Sequence, residues 1–231
     1  MDFAAFYDAY WREKGDTFDR RRLSLLARYV APGERVLQVD CGPGVLAEML
    51  VAQGARVWGT DLSRVAAERA RGRGIPVCRV DLDRGPLPFP EDAFDTVISD
   101  SQIEHRVRYE HVFDELVRVL RPQGKLIVSL PNIAHWRFRW WLLRGRFPYL
   151  ENSPTDWLHL RFFTLVEARA LLSARGIVVD RVDGYASLWV QGLYPGWLRK
   201  RGVYDVYVWA ARRWPSLLAR DFIIIGRKGA A

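Results

Sequence analysis

Three short apolar segments of this chain each run into an aspartate: Val36 to Val39 into Asp40, Ala55 to Thr60 into Asp61, and Val77 to Val80 into Asp81. Helix-forming stretches separate them, Val45 to Val51 after the first and, from the capping residue Ser63, to about Arg71 after the second. Short strands alternating with helices specify a parallel sheet with helices on both faces. Ligands of such sheets sit at the carboxyl ends of the strands, where strand order reverses, and that is where these acids stand. Asp61 follows Asp40 by 21 residues, the interval at which an acid hydrogen-bonds a ribose diol.

The remaining pattern extends the sheet. Helices are expected over residues 2–12 and 17–30, the second with Phe18, Leu23, Leu25, Leu26 and Tyr29 on a broad apolar side. After the proline-rich stretch RGPLPFPED, Phe94 to Ser99 reads as a fourth strand, residues 109–120 as a helix and Arg121 to Gly124 as a turn. Lys125 to Leu130 reads as a fifth strand. Residues 133–144 are expected to be helical and 147–160 a loop. Thr164 and Glu167 form a capping box for a helix to about Ala174. Ile177 to Val182 and Phe222 to Ile225 are further strands, with a helix over 203–213 between them. With no internal repeat, the expectation is a single domain over 1–231, with N-terminal helices in 1–30 and a substrate-side insertion at about 132–163.

The loop after the first strand, VLQVDCGPG, narrows the ligand. Gly42 and Gly44 let the backbone turn and approach a ligand, and the helix from Val45 aims its amide-rich end at the same place. Residues 42–47 also match G-x-G-x-x-A, the dinucleotide fingerprint, so S-adenosylmethionine (SAM) and NAD(P) both stand at this point.

Composition sets the outer limits. There is no run of about 18 uncharged apolar residues, so no membrane-crossing helix is expected. The opening MDFAAFYDAYWREKGD lacks the layout of a signal peptide. Cys41 and Cys78 lie in apolar strand-like contexts and fit buried free thiols of a reducing, cytoplasmic setting; no metal-ligand spacing occurs and no metal is expected. The net charge is +8, yet the arginines, 31 of 35 basic residues, are scattered along the chain. That is a basic surface rather than a contiguous nucleic-acid groove, so no nucleic-acid partner is expected.

The ordered series VLQVDCGPG, VWGTDLS, VDLDRGPLPFPEDAFDTV, IEH and LRPQGKLIVSLPN resembles the class I SAM-dependent methyltransferases over nearly the whole chain. The resemblance implies a Rossmann-like α/β three-layer sandwich. Its seven-stranded, mostly parallel sheet has an antiparallel last strand, with Phe222 to Ile225 inserted beside the fifth. It also implies roles by position. The loop Asp40, Cys41, Gly42, Gly44 would hold the methionine end, Asp61 the ribose hydroxyls, and Leu62 would flank the adenine. Asp81 would accept from the adenine amino group with Leu82 beside it, and Ser99 and Asp100 would lie near the sulfonium. The family usually has an acid where Gln38 stands and a glycine where Asp40 stands. The block SLPNIAHWRFRWWLLRGRFPY with HLRFFTLVEARALLSARGI resembles two groups, MetW-type proteins and methyltransferases of cell-surface glycan or natural-product pathways. The Glu104-His105 pair and HLRFFT favour the second.

Methyl transfer needs an aligned nucleophile and, for a hydroxyl acceptor, a base. His105, after the fourth strand, is the first candidate base and His135 the second. Trp136, Arg137, His159 and Arg161 are candidate substrate-binding residues for a small-molecule or glycan-like acceptor. Three tryptophans and three arginines fill residues 136–144, and tryptophans recur at 189, 197, 209 and 214. An interfacial membrane contact is the weaker reading of that segment. The expected function is therefore SAM-dependent methyl transfer to oxygen or nitrogen. The rivals are a MetW-like SAM-binding partner protein without turnover and an NAD(P) oxidoreductase. The sequence leaves the oligomeric state open.

Overall fold

The structure is a computed structural model that describes residues 2–15, 18–188 and 190–230. The predicted helix start at Thr17 and the tryptophan at 189 lie outside the described residues. The chain falls into two compact units: Met1–Asp100, Arg108–Ile127 and Arg227–Ala231 form the first, and Ser101–Val107 with Val128–Gly226 the second.

The first unit opens with α1 (Phe3–Glu13) and α2 (Arg20–Ala27), each capped by an aspartate: Asp2 accepts from the Ala4 and Ala5 amides, Asp19 from that of Arg22. There follow β1 (Arg35–Val39), α3 (Val45–Ala52), β2 (Arg56–Asp61), α4 (Arg64–Gly72), β3 (Val77–Arg79), β4 (Phe94–Asp100) and α5 (Tyr109–Val119). The Ser63 hydroxyl caps α4, accepting from Ala66 N. In β1 every residue after Arg35 is buried, as in a strand covered on both faces. β1 pairs in parallel with β2, Gln38 opposite Gly59, and with β4, Val39 opposite Ser99.

β5 (Leu120–Pro131) passes from the first unit into the second. It takes up the predicted turn at residues 121–124, keeping only a kink where Gln123 adopts φ 60°. The second unit continues with α6 (Trp136–Leu143), α7 (Leu165–Ser173), β6 (Ile177–Tyr185), α8 (Val203–Arg213), α9 (Pro215–Leu218) and β7 (Asp221–Lys228), whose last two residues belong to the first unit. α7 carries the predicted capping box. Short 3₁₀ turns at Ile103–His105 and Gly196–Arg199 carried no local signal in the sequence. The second unit has its own core, in which Phe138, Leu188, Leu193, Tyr194, Tyr207 and Ala211 are buried together.

The seven strands run in the order β3-β2-β1-β4-β5-β7-β6, six parallel and β7 antiparallel, with flanking helices. Strand order reverses between β1 and β4, so the ligand crevice of this topology opens at their carboxyl ends. Among the described residues no helix is long and apolar enough to cross a membrane.

Candidate active site

The ten residues assigned to SAM all lie in the first unit. The turn after β1 is tightly wound, with Asp40 at φ 51°, Gly42 at 57° and Gly44 at 79°. This left-handed region is costly for most L-residues and tolerated by aspartate, which is how Asp40 can occupy a position where a glycine is usual. Gly42 has a second constraint: a Cβ built there would meet the Trp11 ring at 3.1 Å. At Gly44 a Cβ would stand 2.9 Å from that of Ala70, so this glycine lets α3 start against α4.

Asp61 locks the turn. One carboxylate oxygen accepts from Gly42 N at 2.8 Å and the other from Ser63 N at 2.8 Å. Each carboxylate oxygen has two acceptor directions, the property by which an acid at the end of this strand can receive ribose hydroxyls. Leu62 and Leu82 are buried, whereas Asp81 is half-buried and accepts from Asp83 N at 3.0 Å. Asp100 is held by Arg22 of α2 at 2.6 Å. Cys41 is buried against Gly59, whereas Cys78 of β3 is exposed, contrary to its apolar surroundings in sequence. Burial first, and then the nearby Asp61 and Asp40 charges, push the Cys41 thiol well above the usual range, so it stays protonated.

Among the described residues of this unit, Gln38 Oε1 in β1, Thr60 Oγ1 in β2 and Ser99 Oγ in β4 are buried side-chain oxygens with no hydrogen-bond partner, and Asp100 Oδ1 is served by its ion pair with Arg22. Such groups are rare in native proteins unless a ligand or water serves them. Ser99, one residue before the end of β4 and paired with Val39 at the end of β1, stands where a ligand of this fold would supply the partner. The polar turn, the Asp61 carboxylate and the Ser99 hydroxyl together fit an adenosine-bearing group.

Three contributors escaped the sequence reading. Trp11 packs on Gly42 and is itself buried. Asp8 of α1 accepts from Ser63 Oγ at 2.6 Å and from Val65 N at 3.3 Å, fastening α1 to the start of α4. Burial raises the Asp8 carboxyl, but the Ser63 hydroxyl and the Val65 and Arg64 amides override it, and the net shift is downward. Arg22 is the third. All three sit on N-terminal helices whose sequence shows only amphipathicity.

The acceptor-side candidates lie in the second unit, in two groups. His105 and His159 meet edge to face with ring centroids 4.8 Å apart. Their segments are stitched together: Glu104 O accepts from Leu160 N at 2.8 Å and Arg161 N at 3.0 Å, and Arg161 Nη2 donates to Val107 O at 3.0 Å. Burial, then the neighbouring His159, lowers His105 to about 4, and burial likewise lowers His159.

The second group centres on His135, fully buried at the start of α6. Its Nδ1 accepts from Arg137 N at 3.3 Å, so Nε2 carries the proton and donates to the Tyr207 hydroxyl at 3.0 Å. That hydroxyl also accepts from Trp136 Nε1 at 3.1 Å and donates to Leu218 O at 3.0 Å. Burial, and then the Arg137 charge, lower His135 to about 3. Arg137 donates to Leu193 O at 3.1 Å and lies over the Trp141 ring at 4.7 Å. His135, Trp136 and Arg137 thus hold α6 in place, with no ring nitrogen of His135 left over. Tyr207, the hub of this network, had no signal in the sequence beyond its helical position.

The family model described as Methionine biosynthesis protein MetW matches residues 20–206. A demethylmenaquinone methyltransferase of Thermus thermophilus is 40% identical over 115 residues, covering 47% of this chain and 52% of that protein. A Mycolicibacterium smegmatis protein named "Probable S-adenosylmethionine-dependent methyltransferase" is 30% identical over 178 residues, 76% of this chain and 62% of that one. The chain therefore spans about half to three-fifths of these relatives' length. Among solved structures, a chain of the Haloferax volcanii complex containing the Trm112 methyltransferase activator superposes with a TM-score of 0.68. It is 19% identical, over 96% of this chain and 97% of that one, a likeness of fold alone.

Proposed function

The chain belongs to the MetW family, and on that premise we propose that it binds SAM in the first unit and transfers the methyl group to an oxygen or nitrogen of a small-molecule or glycan-like acceptor. Family membership corrects one ordering, since the Glu104-His105 pair and HLRFFT had favoured the glycan and natural-product group over the MetW-type group. The observation that carries the SAM reading is the Asp61 carboxylate at the end of β2, clamped between the Gly42 and Ser63 amides and so fixed beside the turn after β1. SAM supplies an electrophilic methyl on a good leaving group, so the protein has mainly to align the nucleophile and exclude water.

The Asp40 to Gly44 turn would hold the methionine end and Asp61 the ribose. Asp81 would take the adenine amino group between Leu62 and Leu82, and Ser99 and Asp100 would line the sulfonium. Trp11 supports the reading as a cover for the turn that keeps water out. On the acceptor side we assign His105 and His159 rather than His135, whose nitrogens are consumed by the α6 cap and Tyr207. A His105 imidazole near 4 is neutral at pH 7 but a weak base, which favours an acceptor that gives up its proton readily. The NAD(P) reading rests on the G-x-G-x-x-A match and gains nothing further.

Calorimetry with SAM against NAD tests the cofactor. SAM is expected to bind and NAD not to. Asp61→Asn, which keeps one acceptor oxygen but loses the charge, is expected to weaken SAM about tenfold to a hundredfold, the value of hydrogen bonds to an ionised group. NAD binding without a SAM response would overturn the assignment. The MetW match is also compatible with a second reading, a SAM-binding partner protein. Tight SAM binding with no S-adenosylhomocysteine formed across an acceptor library, together with a co-purifying enzyme, would select it.

A further inference from the structure

Glu104, His105 and His159 each present a metal-ligating atom, and these atoms lie within 4.8 Å of one another. The ring tautomers follow from their partners. His105 Nδ1 is 3.1 Å from Leu158 O and His159 Nδ1 is 3.1 Å from Pro154 O. A carbonyl only accepts, so both Nδ1 atoms carry hydrogen and both Nε2 atoms carry the lone pair. Metal-binding histidines are held in this way, with the far nitrogen donated to a carbonyl that fixes the ring and raises its ligand strength. The Glu104 carboxylate, on a residue 1% exposed, completes the set, its Oε1 4.0 Å from His159 Nε2.

The frame is built independently of these side chains. The 3₁₀ turn Ile103–His105 and the segment 158–161 are joined by two backbone hydrogen bonds to Glu104 O. Asp156 shapes the approach to that segment, accepting from Leu158 N at 3.1 Å and from Asn152 N at 2.7 Å. Ligands thus sit on two stitched, rigid segments rather than on one mobile loop.

We propose that Glu104, His105 and His159 form a binding site for a divalent transition-metal cation of the zinc class. Two imidazoles and one carboxylate suit such a cation and leave a fourth position open to an exogenous oxygen ligand. Zinc–nitrogen distances of about 2.1 Å put tetrahedral ligand atoms roughly 3.4 Å apart, so side-chain rotations of about 1 Å close the present set around an ion. The cation claim goes beyond the methyl-transfer reading and stands without it; with a cation bound, the His105 Nε2 lone pair would serve as a ligand and not as the acceptor's base.

The full chain, stripped with chelator, is titrated with Co²⁺ and followed by its visible d–d absorption, then displaced with Zn²⁺. One saturable Co²⁺ per chain with four- or five-coordinate bands is expected. His105→Ala, His159→Ala and Glu104→Gln are each expected to weaken binding at least tenfold, with circular dichroism as the check on folding. Should a variant not fold, imidazole ¹⁵N spectra of the unaltered protein decide. Zn²⁺ is expected to shift the Nε2 resonances of His105 and His159 and to leave His111 unmoved. Non-saturable binding, a sulfur-to-cobalt charge-transfer band, undiminished binding in folded variants, or unshifted His105 and His159 resonances would each overturn the proposal. SAM calorimetry on the same samples fails or succeeds separately, so loss of one claim is distinguishable from loss of the other.

Discussion

Asp40 carries the main departure of this chain from its family's usual loop, and its backbone explains what a glycine does there. At φ 51° an L-residue with a plain Cβ is strained by about 1–2 kcal/mol, and aspartate by less. Asp40→Gly is therefore expected to leave stability within about 1 kcal/mol of the starting protein, because relief of strain is offset by the freer unfolded chain. It is also expected to preserve or tighten SAM binding, since it removes a side chain beside the proposed methionine position. Asp40→Ala keeps the strain and is expected to be the less stable of the two. Calorimetry and thermal melts of the pair check this, and complete loss of SAM binding in Asp40→Gly would count against it. Gly44 is a harder case, because a Cβ there meets both a φ of 79° and Ala70 at 2.9 Å. Gly44→Ala is expected to lose about 2 kcal/mol or more in urea titration. A variant as stable as the parent would mean that α3 and α4 are free to part.

At the scale of elements, α5 shows how a segment without regular structure is held. Glu115, buried on α5, accepts from Leu87 N at 2.7 Å and twice from Arg118, each at 2.7 Å. Arg118 in turn donates to Phe89 O at 2.9 Å and Leu87 O at 3.0 Å, so one ion pair fixes the proline-rich stretch before β4. The Arg118 hydrogen bonds lower the Glu115 carboxyl against the opposing effect of burial. Glu115→Ala leaves Arg118 and the Leu87 amide without their acceptor and is expected to cost about 2 kcal/mol. Urea denaturation reads this directly; a change within about 0.5 kcal/mol would show that the stretch anchors itself. The strands and helix caps of this fold were legible in sequence because their signals are local: an apolar run before an aspartate, Ser63 before α4, Thr164 three residues before Glu167. The turn at 121–124 falls within the span of β5, where Gln123 at φ 60° keeps a turn-like backbone inside the strand. The Glu104, His105 and His159 cluster and the Trp11 contact with Gly42 were illegible in sequence. Their partners are far apart in the chain, and no spacing rule reaches across 53 positions from His105 to Leu158.

The stability of the whole molecule on the acid side has two stages, set by two kinds of titratable group. Asp95 is one kind. Burial raises its carboxyl, but hydrogen bonds from the Arg35 side chain and amide and the Arg121 charge prevail and lower it, as Arg118 does for Glu115. A carboxyl depressed on folding contributes stability above its unfolded value and loses it as pH falls through the folded one, so these groups act only below about pH 4.5. His135 is the other kind. Its folded value, about 3, lies below the unfolded 6.5, so the unfolded chain takes up a proton first, and stability falls as soon as pH drops below 6.5. Because the folded value is well under 5, the loss at pH 5 is set by the unfolded imidazole alone and amounts to about 2 kcal/mol. His135→Asn keeps a side-chain oxygen to cap α6 but cannot titrate. Chemical denaturation at pH 7 and pH 5 is expected to show the parent losing about 2 kcal/mol more than His135→Asn between the two. The parent should then steepen again below pH 4.5, where both proteins lose their carboxylate pairs. Parallel pH curves for the two proteins between 7 and 5 would mean that His135 protonates without unfolding the chain, and that the Tyr207 network opens to solvent while the sheet stays intact.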